Sequence, residues 1–210
     1  MRILVGLDGS TASRIATDFV AGRSWPAGTR IRLLCAVEPH VDWTGLAPVA
    51  NDTTEADRAL LSDVLDERAE ALRSPSHVVE SFLENGRAAD LLMAHAGEWM
   101  ADLIVVGNRG LGAAASAILG SVSAHLVDNA PCPVLVARSP SITRVLLATD
   151  GTESSRSIPR ILAAWGQAFR GVAVEVLSVA AEEDLPSRGL PGEPSEEVAE
   201  YELHRQIAEE

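Results

Sequence analysis

The chain has 210 residues, 47% of them hydrophobic, and its formal net charge is −13. No basic stripe or aromatic-interleaved patch could release counterions from a nucleic-acid backbone, which excludes DNA and RNA as expected partners. No apolar run reaches the ~18 residues of a membrane span, and the first residues lack the order of a signal peptide, so we expect a cytoplasmic protein with no membrane partner. Its two cysteines, Cys35 and Cys132, are interpreted as small buried hydrophobes rather than a disulfide framework.

The first part of the chain alternates short apolar runs with helical patterns. Residues 2–7 are apolar, too few for a helix, and are followed by Asp8-Gly9-Ser10, which predicts a strand, a turn and a helix N-terminus. We then expect a crossover helix over 11–21 and a second strand over 30–37. Residues 38–52 contain two prolines and are predicted to form a long loop.

The same alternation continues to residue 138. Residues 54–73 carry apolar side chains at helical spacing opposite a charged face, and Ser74-Pro75 ends this predicted helix. Later elements are a third strand over 77–83, a helix over 87–99, a fourth strand over 102–106 and a fifth strand over 133–137. Strands that alternate with helices predict an α/β fold with a doubly wound, five-stranded parallel sheet of Rossmann-like type.

The chain repeats its own start at an offset of 142 residues. Residues 2–14 align without gaps with 144–156, and residues 32–37 fall on 174–179. A repeat at a fixed offset indicates a second copy of the same structural unit. This copy keeps a strand, a helix and a strand, and it reaches residue 210 without a second glycine loop.

The repeat defines the predicted domain organisation. We expect one complete domain over 1–138, a linker over 139–143 and a partial second domain over 144–210. Within the latter, residues 182–210 carry a net charge of −8 and are interpreted as a solvated acidic tail.

A glycine-rich segment follows the predicted fourth strand. Gly107-Asn108-Arg109-Gly110 comes directly after it, and Gly120-Ser121 comes nine residues later. Glycines where a strand opens into a loop, and where the loop enters a helix, let backbone N–H groups approach a phosphate. Because ligands of such sheets lie beyond the carboxyl ends of the strands, we predict one pocket formed by Asp8, the backbone after Val37 and residues 107–123.

Each group in this pocket has a predicted role. The loop and the N-terminus of the helix that begins near Ser121 would bind phosphates. Arg109 would add a positive charge, and Ser121 and Ser123 would offer hydroxyls. Asp8 could accept hydrogen bonds from a base or ribose, or hold a divalent ion that bridges the phosphates, and both alternatives stay open. A purely structural role is the alternative for the glycines, which could serve close packing between a strand and a helix.

Three segments together resemble the signature of the universal stress protein family in its ATP-binding branch: residues 101–110, 119–123 and 130–136. The opening residues 3–10 and residues 84–90 support the resemblance. The family's pattern of G-x-x-G, nine residues and G-[ST] is matched completely. The resemblance covers residues 1–138 and, for its first half only, the repeat.

This resemblance implies a small α/β protein similar to the adenine-nucleotide-binding (alpha-hydrolase-like) folds, commonly dimeric and often arranged as a tandem pair. It implies ATP, or ADP or AMP, as the ligand, with Mg²⁺ or Mn²⁺ accompanying the nucleotide. Asp8 and Val37 match positions beside the adenine and ribose. The phosphate-binding run is matched by Gly107, Arg109, Gly110, Gly120, Ser121, Val122 and Ser123.

The sequence near the loop lacks the catalytic groups that rapid hydrolysis requires. There is no G-K-[ST] lysine, no Ser-His-Asp set and no pair of carboxylates near it, so we expect binding with slow or no turnover, and at most weak ATPase activity or self-phosphorylation at Ser121 or Ser123. The leading hypothesis is an ATP-binding stress-response protein in which nucleotide occupancy changes the conformation or the choice of an unknown protein partner.

Two alternatives and an assembly state complete the sequence predictions. The chain could be an interaction scaffold that has lost nucleotide binding. It could also be an ATP-using synthetase or nucleotidyl transferase, although the S-G-G-x-D-S loop and the H-x-G-H pair of such enzymes are missing. The open apolar edge of the fifth strand predicts a homodimer, formed through this edge or through the partial second domain.

Overall fold

The computed structural model describes residues 1–38, 40–42, 49–51, 55–110, 119–150, 152 and 157–178. The chain divides into two compact units, Met1–Ser141 and Ile142–Glu210. The predicted acidic tail over 182–210 and the aligned repeat residues 153–156 lie outside the described residues.

The first unit contains seven strands and four helices among its described residues. In chain order they are β1 (Arg2–Leu7), α1 (Thr11–Ala21), β2 (Thr29–Val37), β3 (His40–Asp42), β4 (Val49–Asn51), α2 (Glu55–Leu72), β5 (His77–Asn85), α3 (Ala88–Trp99), β6 (Leu103–Gly107), α4 (Ser121–Asn129) and β7 (Val134–Ala137). Five of the strands form one sheet in the order β5-β2-β1-β6-β7, and every pairing is parallel. The predicted α/β class and doubly wound parallel sheet are confirmed.

Strands β1 and β6 lie at the centre of the sheet because their sequences are continuously apolar. Ile3, Leu4 and Val5 in β1 are fully buried, as are Leu103 and Ile104 in β6. Parallel strands covered by helices on both faces must be apolar at successive positions, because neither face meets water. The sequence of β1 therefore places it at the centre of the sheet, and its carboxyl end lies between those of β2 and β6.

The turn after β1 is built from short polar residues. Gly9 has a φ of 77°, which a side chain would disfavour, and the Ser10 N–H donates to Oδ1 of Asp8 at 3.0 Å. The Ser10 hydroxyl accepts a hydrogen bond from the Ser13 N–H at 3.1 Å and so caps α1. The predicted turn and helix N-terminus are confirmed.

The prediction of a long loop over 38–52 is partly wrong. Residues 40–42 and 49–51 form an antiparallel pair of short strands, β3 and β4. Pro39 and Pro48 each directly precede one of these strands in the sequence. A proline before the first residue of a strand removes no N–H from the ladder, so these prolines do not prevent strand pairing. Residues 39, 43–48 and 52 of this segment lie outside the described residues.

Ion pairs join the two helices on one side of the sheet. Arg14 of α1 pairs with Glu67 of α2 at 3.0 Å, and Arg68 of α2 pairs with Asp18 of α1 at 3.0 Å. On the other side of the sheet, α3 and α4 cover a buried apolar cluster that includes Leu4, Leu34, Leu92, Ile104 and Leu126. Among the described residues, no helix is long and apolar enough to cross a membrane.

The second unit begins with the predicted order of elements. It contains β8 (Arg144–Thr149), α5 (Ser157–Ala164) and β9 (Ala173–Ser178), and β8 pairs with β9 in parallel. The Asp150 carboxylate accepts hydrogen bonds from the N–H and hydroxyl of Thr152 at 3.0 and 2.7 Å. These contacts fit the turn expected after β8, while the status of this unit as a second domain copy stays a prediction.

Candidate functional site

The structure brings the predicted site residues to one edge of the sheet. Asp8 follows β1, Val37 ends β2 and Gly107 ends β6, and these three strands are direct neighbours. Because all three run parallel, their carboxyl ends open onto the same crevice. The loop from Gly107 to Gly110 and the start of α4 near Ser121 border this crevice.

Asp8 reaches the second glycine of the loop. A Cβ placed on Gly110 would lie 2.7 Å from Oδ2 of Asp8, and the other carboxylate oxygen accepts the Ser10 N–H. Gly110 therefore leaves room for the carboxylate between the turn after β1 and the glycine loop. This places a negative charge beside the segment predicted to bind phosphates.

Gly107 has a structural reason to be glycine. A Cβ at this position would lie 2.5 Å from the carbonyl carbon of Ala12 and 2.6 Å from its oxygen. Both are backbone atoms of α1, which cannot shift without moving the helix. At Gly107 the packing interpretation of the glycines is therefore sufficient, and it is compatible with a neighbouring ligand.

The two ends of the glycine loop are held together at Gly120. Its N–H donates to the Asn108 carbonyl oxygen at 2.8 Å, and a Cβ on it would lie 3.3 Å from Cα of Arg109. The Ser123 hydroxyl is buried and donates to the Gly120 carbonyl oxygen at 3.0 Å. These contacts fix the point at which the loop enters α4.

The N-terminus of α4 carries no side-chain cap. Gly120 occupies the N-cap position without a side-chain hydrogen bond, and Ser121 is exposed as the first helical residue. The first N–H groups of any helix have no acceptor within the helix, and together with the helix dipole they favour an anion. Val122 is partly buried and Ser123 is buried, so the exposed hydroxyl of this turn is that of Ser121.

Arg109 contributes a partly buried cationic side chain to the loop. Its Nε is fully buried with no hydrogen-bond partner in the part of the chain that the structure describes. A buried guanidinium N–H without an acceptor costs free energy, and an anion that accepts from it would recover that cost. Among the described residues, Nε of Arg32 and Nε of Arg68 are also buried without a hydrogen-bond partner, so Arg109 points to an anionic ligand because of its place in the glycine loop.

Val37 forms the other end of the crevice. It is 3% exposed, and its carbonyl oxygen accepts the Gly86 N–H at 3.1 Å. Directly after it, Oε1 of Glu38 accepts the N–H of Ala88, the first residue of α3, at 2.7 Å. The sequence did not predict that Glu38 caps α3, although one feature of the sequence pointed to a missing local cap. Arg87 stands at the N-cap of α3, where a residue with a short polar side chain would be expected.

Cys35 lies in β2 close to Asp8. Burial, together with the negative charge of Asp8, raises the pKa of the Cys35 thiol to about 11. The thiol is therefore neutral near pH 7 and acts as a small apolar side chain, in agreement with the sequence interpretation. Across the described residues, no three His, Cys, Asp or Glu side chains come together in a way that could hold a metal ion.

The fold and these contacts define an α/β protein with a doubly wound parallel sheet and a glycine loop at its carboxyl edge. The chain belongs to the universal stress protein family, whose model matches residues 1–138. The family resemblance seen in the sequence is thereby confirmed.

Individual relatives match the same part of the chain. A universal stress protein of Thermus aquaticus is 35% identical over 142 residues, which are 65% of this chain and 97% of the relative. The chain spans only 45% and 48% of the length of relatives from Mycolicibacterium smegmatis and Mycobacterium tuberculosis.

One solved structure of the family shares the fold, and a second is similar in sequence. The universal stress protein UspA from Lactobacillus plantarum matches with a TM-score of 0.55 and 24% identity, over 66% of this chain and 97% of that one. A universal stress protein in complex with cAMP has 26% identity and a TM-score of 0.46, over 66% of this chain and 97% of its own.

Proposed function

We propose that the chain binds an adenine nucleotide, ATP or its products ADP and AMP, at the carboxyl edge of the first sheet. The observation that carries this proposal is the buried Nε of Arg109, which has no acceptor among the described residues and belongs to the glycine loop. A phosphate group is the anion that best fits a guanidinium, a loop of small residues and a helix N-terminus together.

The phosphates would lie against the loop and the start of α4. The backbone N–H groups of Ser121 and Val122 and the exposed hydroxyl of Ser121 would donate to phosphate oxygens, while Arg109 would neutralise their charge. Gly107 and Gly110 would keep the loop close to the sheet. For Ser123 to contact a phosphate, its hydroxyl would have to exchange the Gly120 carbonyl oxygen for a phosphate oxygen.

The nucleoside would lie toward β2, beside Asp8 and Val37. Asp8 would accept from the ribose or hold Mg²⁺ or Mn²⁺. One carboxylate beside a phosphate loop fits such an ion, because Mg²⁺ often takes only one or two carboxylates and completes its shell with phosphates and water. When bound, the ion would offset the repulsion between Asp8 and the phosphates.

Nucleotide occupancy would serve regulation rather than rapid turnover. Fast hydrolysis needs a group that positions the attacking water and further charge stabilisation of the transferred phosphoryl group. The residues proposed for this site include Arg109 and the N-terminus of α4, which can stabilise charge. None of them is assigned the role of positioning the attacking water. We therefore propose slow or no hydrolysis, a stress-response role in the cytoplasm, and a protein partner that distinguishes the nucleotide-bound state.

The proposed assembly is a homodimer, formed through the edge of β7 or through the second unit. Strand β7 pairs only with β6 within the described sheet, so its other edge is available for pairing. Light scattering at micromolar concentration should give the mass of two chains, and the mass of one chain would reject the dimer.

Native purification tests the ligand class. Mass spectrometry of nucleotide released from denatured protein should detect ATP, ADP or AMP in the wild type and a much smaller amount in Arg109→Ala. The matched control is Arg73→Ala, which removes an exposed arginine that directly follows α2 and pairs with Glu70 of that helix. Absence of nucleotide from the wild type, with no rise in melting temperature on adding Mg-ATP, would reject the proposal.

An interaction scaffold is the second candidate. It is favoured by Gly107, whose close packing against Ala12 explains one loop glycine without any ligand. Gly120→Val and Arg109→Ala would separate the two functions. Loss of ATP binding with the fold retained supports the nucleotide-binding protein, whereas a wild type that binds its protein partner but no nucleotide supports the scaffold.

A further inference from the structure

Glu38 joins the nucleoside end of the proposed site to a helix on the other side of the sheet. It directly follows Val37 in the sequence, and its Oε1 accepts the Ala88 N–H at 2.7 Å. Ala88 is the first residue of α3, and the two residues are 50 positions apart in the chain. One carboxylate therefore connects the end of β2 to the beginning of α3.

The helix has no local substitute for this contact. Its N-cap residue, Arg87, makes no capping hydrogen bond with its side chain, which pairs instead with the Asp90 carboxylate at 3.5 Å, so Glu38 supplies a cap that the adjacent sequence does not. A carboxylate at a helix N-terminus is stabilised both by the N–H groups and by the helix dipole. This gives the Glu38 side chain a defined position although the residue itself is exposed.

The backbone on either side of this contact is also fixed. The Gly86 N–H donates to the Val37 carbonyl oxygen at 3.1 Å, and Gly86 has a φ of 148°, which favours glycine. Next to it, Oδ1 of Asn85 accepts from Arg58 of α2 at 2.6 Å. The end of β2 and its partner Asn85 at the end of β5 are thus tied to helices on both faces of the sheet.

We propose that Glu38 is a positioning residue for the nucleotide: by capping α3 it holds the Val37–Glu38 backbone where the nucleoside binds. This inference rests on the proposed function. It adds that nucleotide affinity depends on a link between β2 and α3, and not only on the stability of α3. Nucleotide binding at Val37 would in turn change the position of the N-terminus of α3, because the Glu38 carboxylate links the two.

Three variants test the link by calorimetric titration with Mg-ATP. Glu38→Ala removes the acceptor and should weaken ATP binding about five- to tenfold, the effect of losing a hydrogen bond of cap strength. Glu38→Gln keeps an acceptor oxygen and should stay within about twofold of the wild type, since only the charge is lost. Circular dichroism checks that each variant is folded.

The decisive control restores a cap at the N-terminus of α3 without restoring the Glu38 contact between β2 and α3. In the double variant Glu38→Ala with Arg87→Ser, the new serine can cap α3 locally. Its ATP affinity should remain as weak as that of Glu38→Ala even if thermal stability recovers. Recovery of affinity in this double variant, or wild-type affinity in Glu38→Ala, would overturn the positioning role while leaving nucleotide binding intact. A wild type that binds no ATP would instead overturn the proposed function and this inference with it.

Discussion

Gly107 at the end of β6 and Ala12 in the first turn of α1 approach so closely that a Cβ on the glycine would lie 2.5 Å from the Ala12 carbonyl carbon. The strand lies inside the sheet and the helix is packed across it, so neither can shift alone to admit an extra carbon atom. The backbone contact beside the candidate site is therefore part of the fold itself.

Substitution of this glycine should destabilise the protein. We expect Gly107→Ala to lower the free energy of unfolding by about 2 kcal/mol, because overpacking of a well-packed site costs roughly 1–3 kcal/mol. Urea unfolding followed by circular dichroism at pH 7 measures the change.

Gly97 offers a matched control for the same substitution. It lies exposed within α3, and a Cβ on it would meet nothing within 4 Å. Gly97→Ala should raise the free energy of unfolding by about 0.5–1 kcal/mol, since alanine is the better helix former. Equal losses in the two variants would contradict the packing explanation.

Met100 ends α3 in a left-handed conformation, with a φ of 50° and a ψ of 60°. A side chain disfavours this region by about 1 kcal/mol or more, and Met100 is 65% exposed, so little packing would be lost on its removal. We expect Met100→Gly to raise the melting temperature by about 2–4 °C, the shift that 1 kcal/mol gives in a chain of this size. Met100→Ala keeps the strain and should not produce this rise; a similar rise in both variants would contradict the conformational explanation.

Glu80 of β5 links two arginines of β2 and predicts a pH dependence of stability. Burial raises the pKa of the Glu80 carboxyl, but hydrogen bonds and charges from Arg30 and Arg32 outweigh burial, so the pKa lies below its ordinary value of 4.5. A carboxyl whose pKa is lowered by folding stabilises the folded state fully above its unfolded pKa. That stabilisation is lost as the pH falls through the lowered pKa of the folded state.

The variant Glu80→Gln isolates this contribution. Its free energy of unfolding should be lower than that of the wild type at pH 7, and the difference should shrink as the pH falls below the unfolded-state pKa of a glutamate, about 4.3, and through the lowered pKa of the folded state. Urea unfolding at a series of pH values measures it. A difference that stays constant down to pH 3 would show that the charge of Glu80 is not responsible.

Regular elements of the first unit follow from local sequence. The helix over 11–21 is predicted with the bounds of α1, because Ser10 provides a cap and the apolar spacing has the helical period. The second strand, predicted over 30–37, extends over Thr29–Val37. Its second half is a continuous apolar run, as expected of a buried parallel strand, whereas Arg30 and Arg32 alternate with buried residues in its first half. The β3–β4 pair escapes such reasoning because its strands have three residues each and follow prolines.

The contacts around the candidate site depend on residues far apart in the chain. Glu38 caps a helix that begins 50 residues later, and the need for glycine at Gly107 comes from Ala12. Local pattern identifies the glycine loop and the strand ends. It cannot reveal which carboxylate reaches which helix, because that depends on the order of strands in the sheet and on side-chain geometry.

Calorimetric titration with Mg-ATP tests nucleotide binding most directly. Wild-type protein should bind with a dissociation constant below about 1 mM. Arg109→Ala should bind about tenfold or more weakly, because a charge-assisted hydrogen bond to an anion contributes about 1.5–3 kcal/mol, while Arg73→Ala should match the wild type. Folded wild-type protein with no saturable affinity for Mg-ATP in the millimolar range, or Arg109→Ala with unchanged affinity, would contradict the assignment of the glycine loop as a phosphate-binding site.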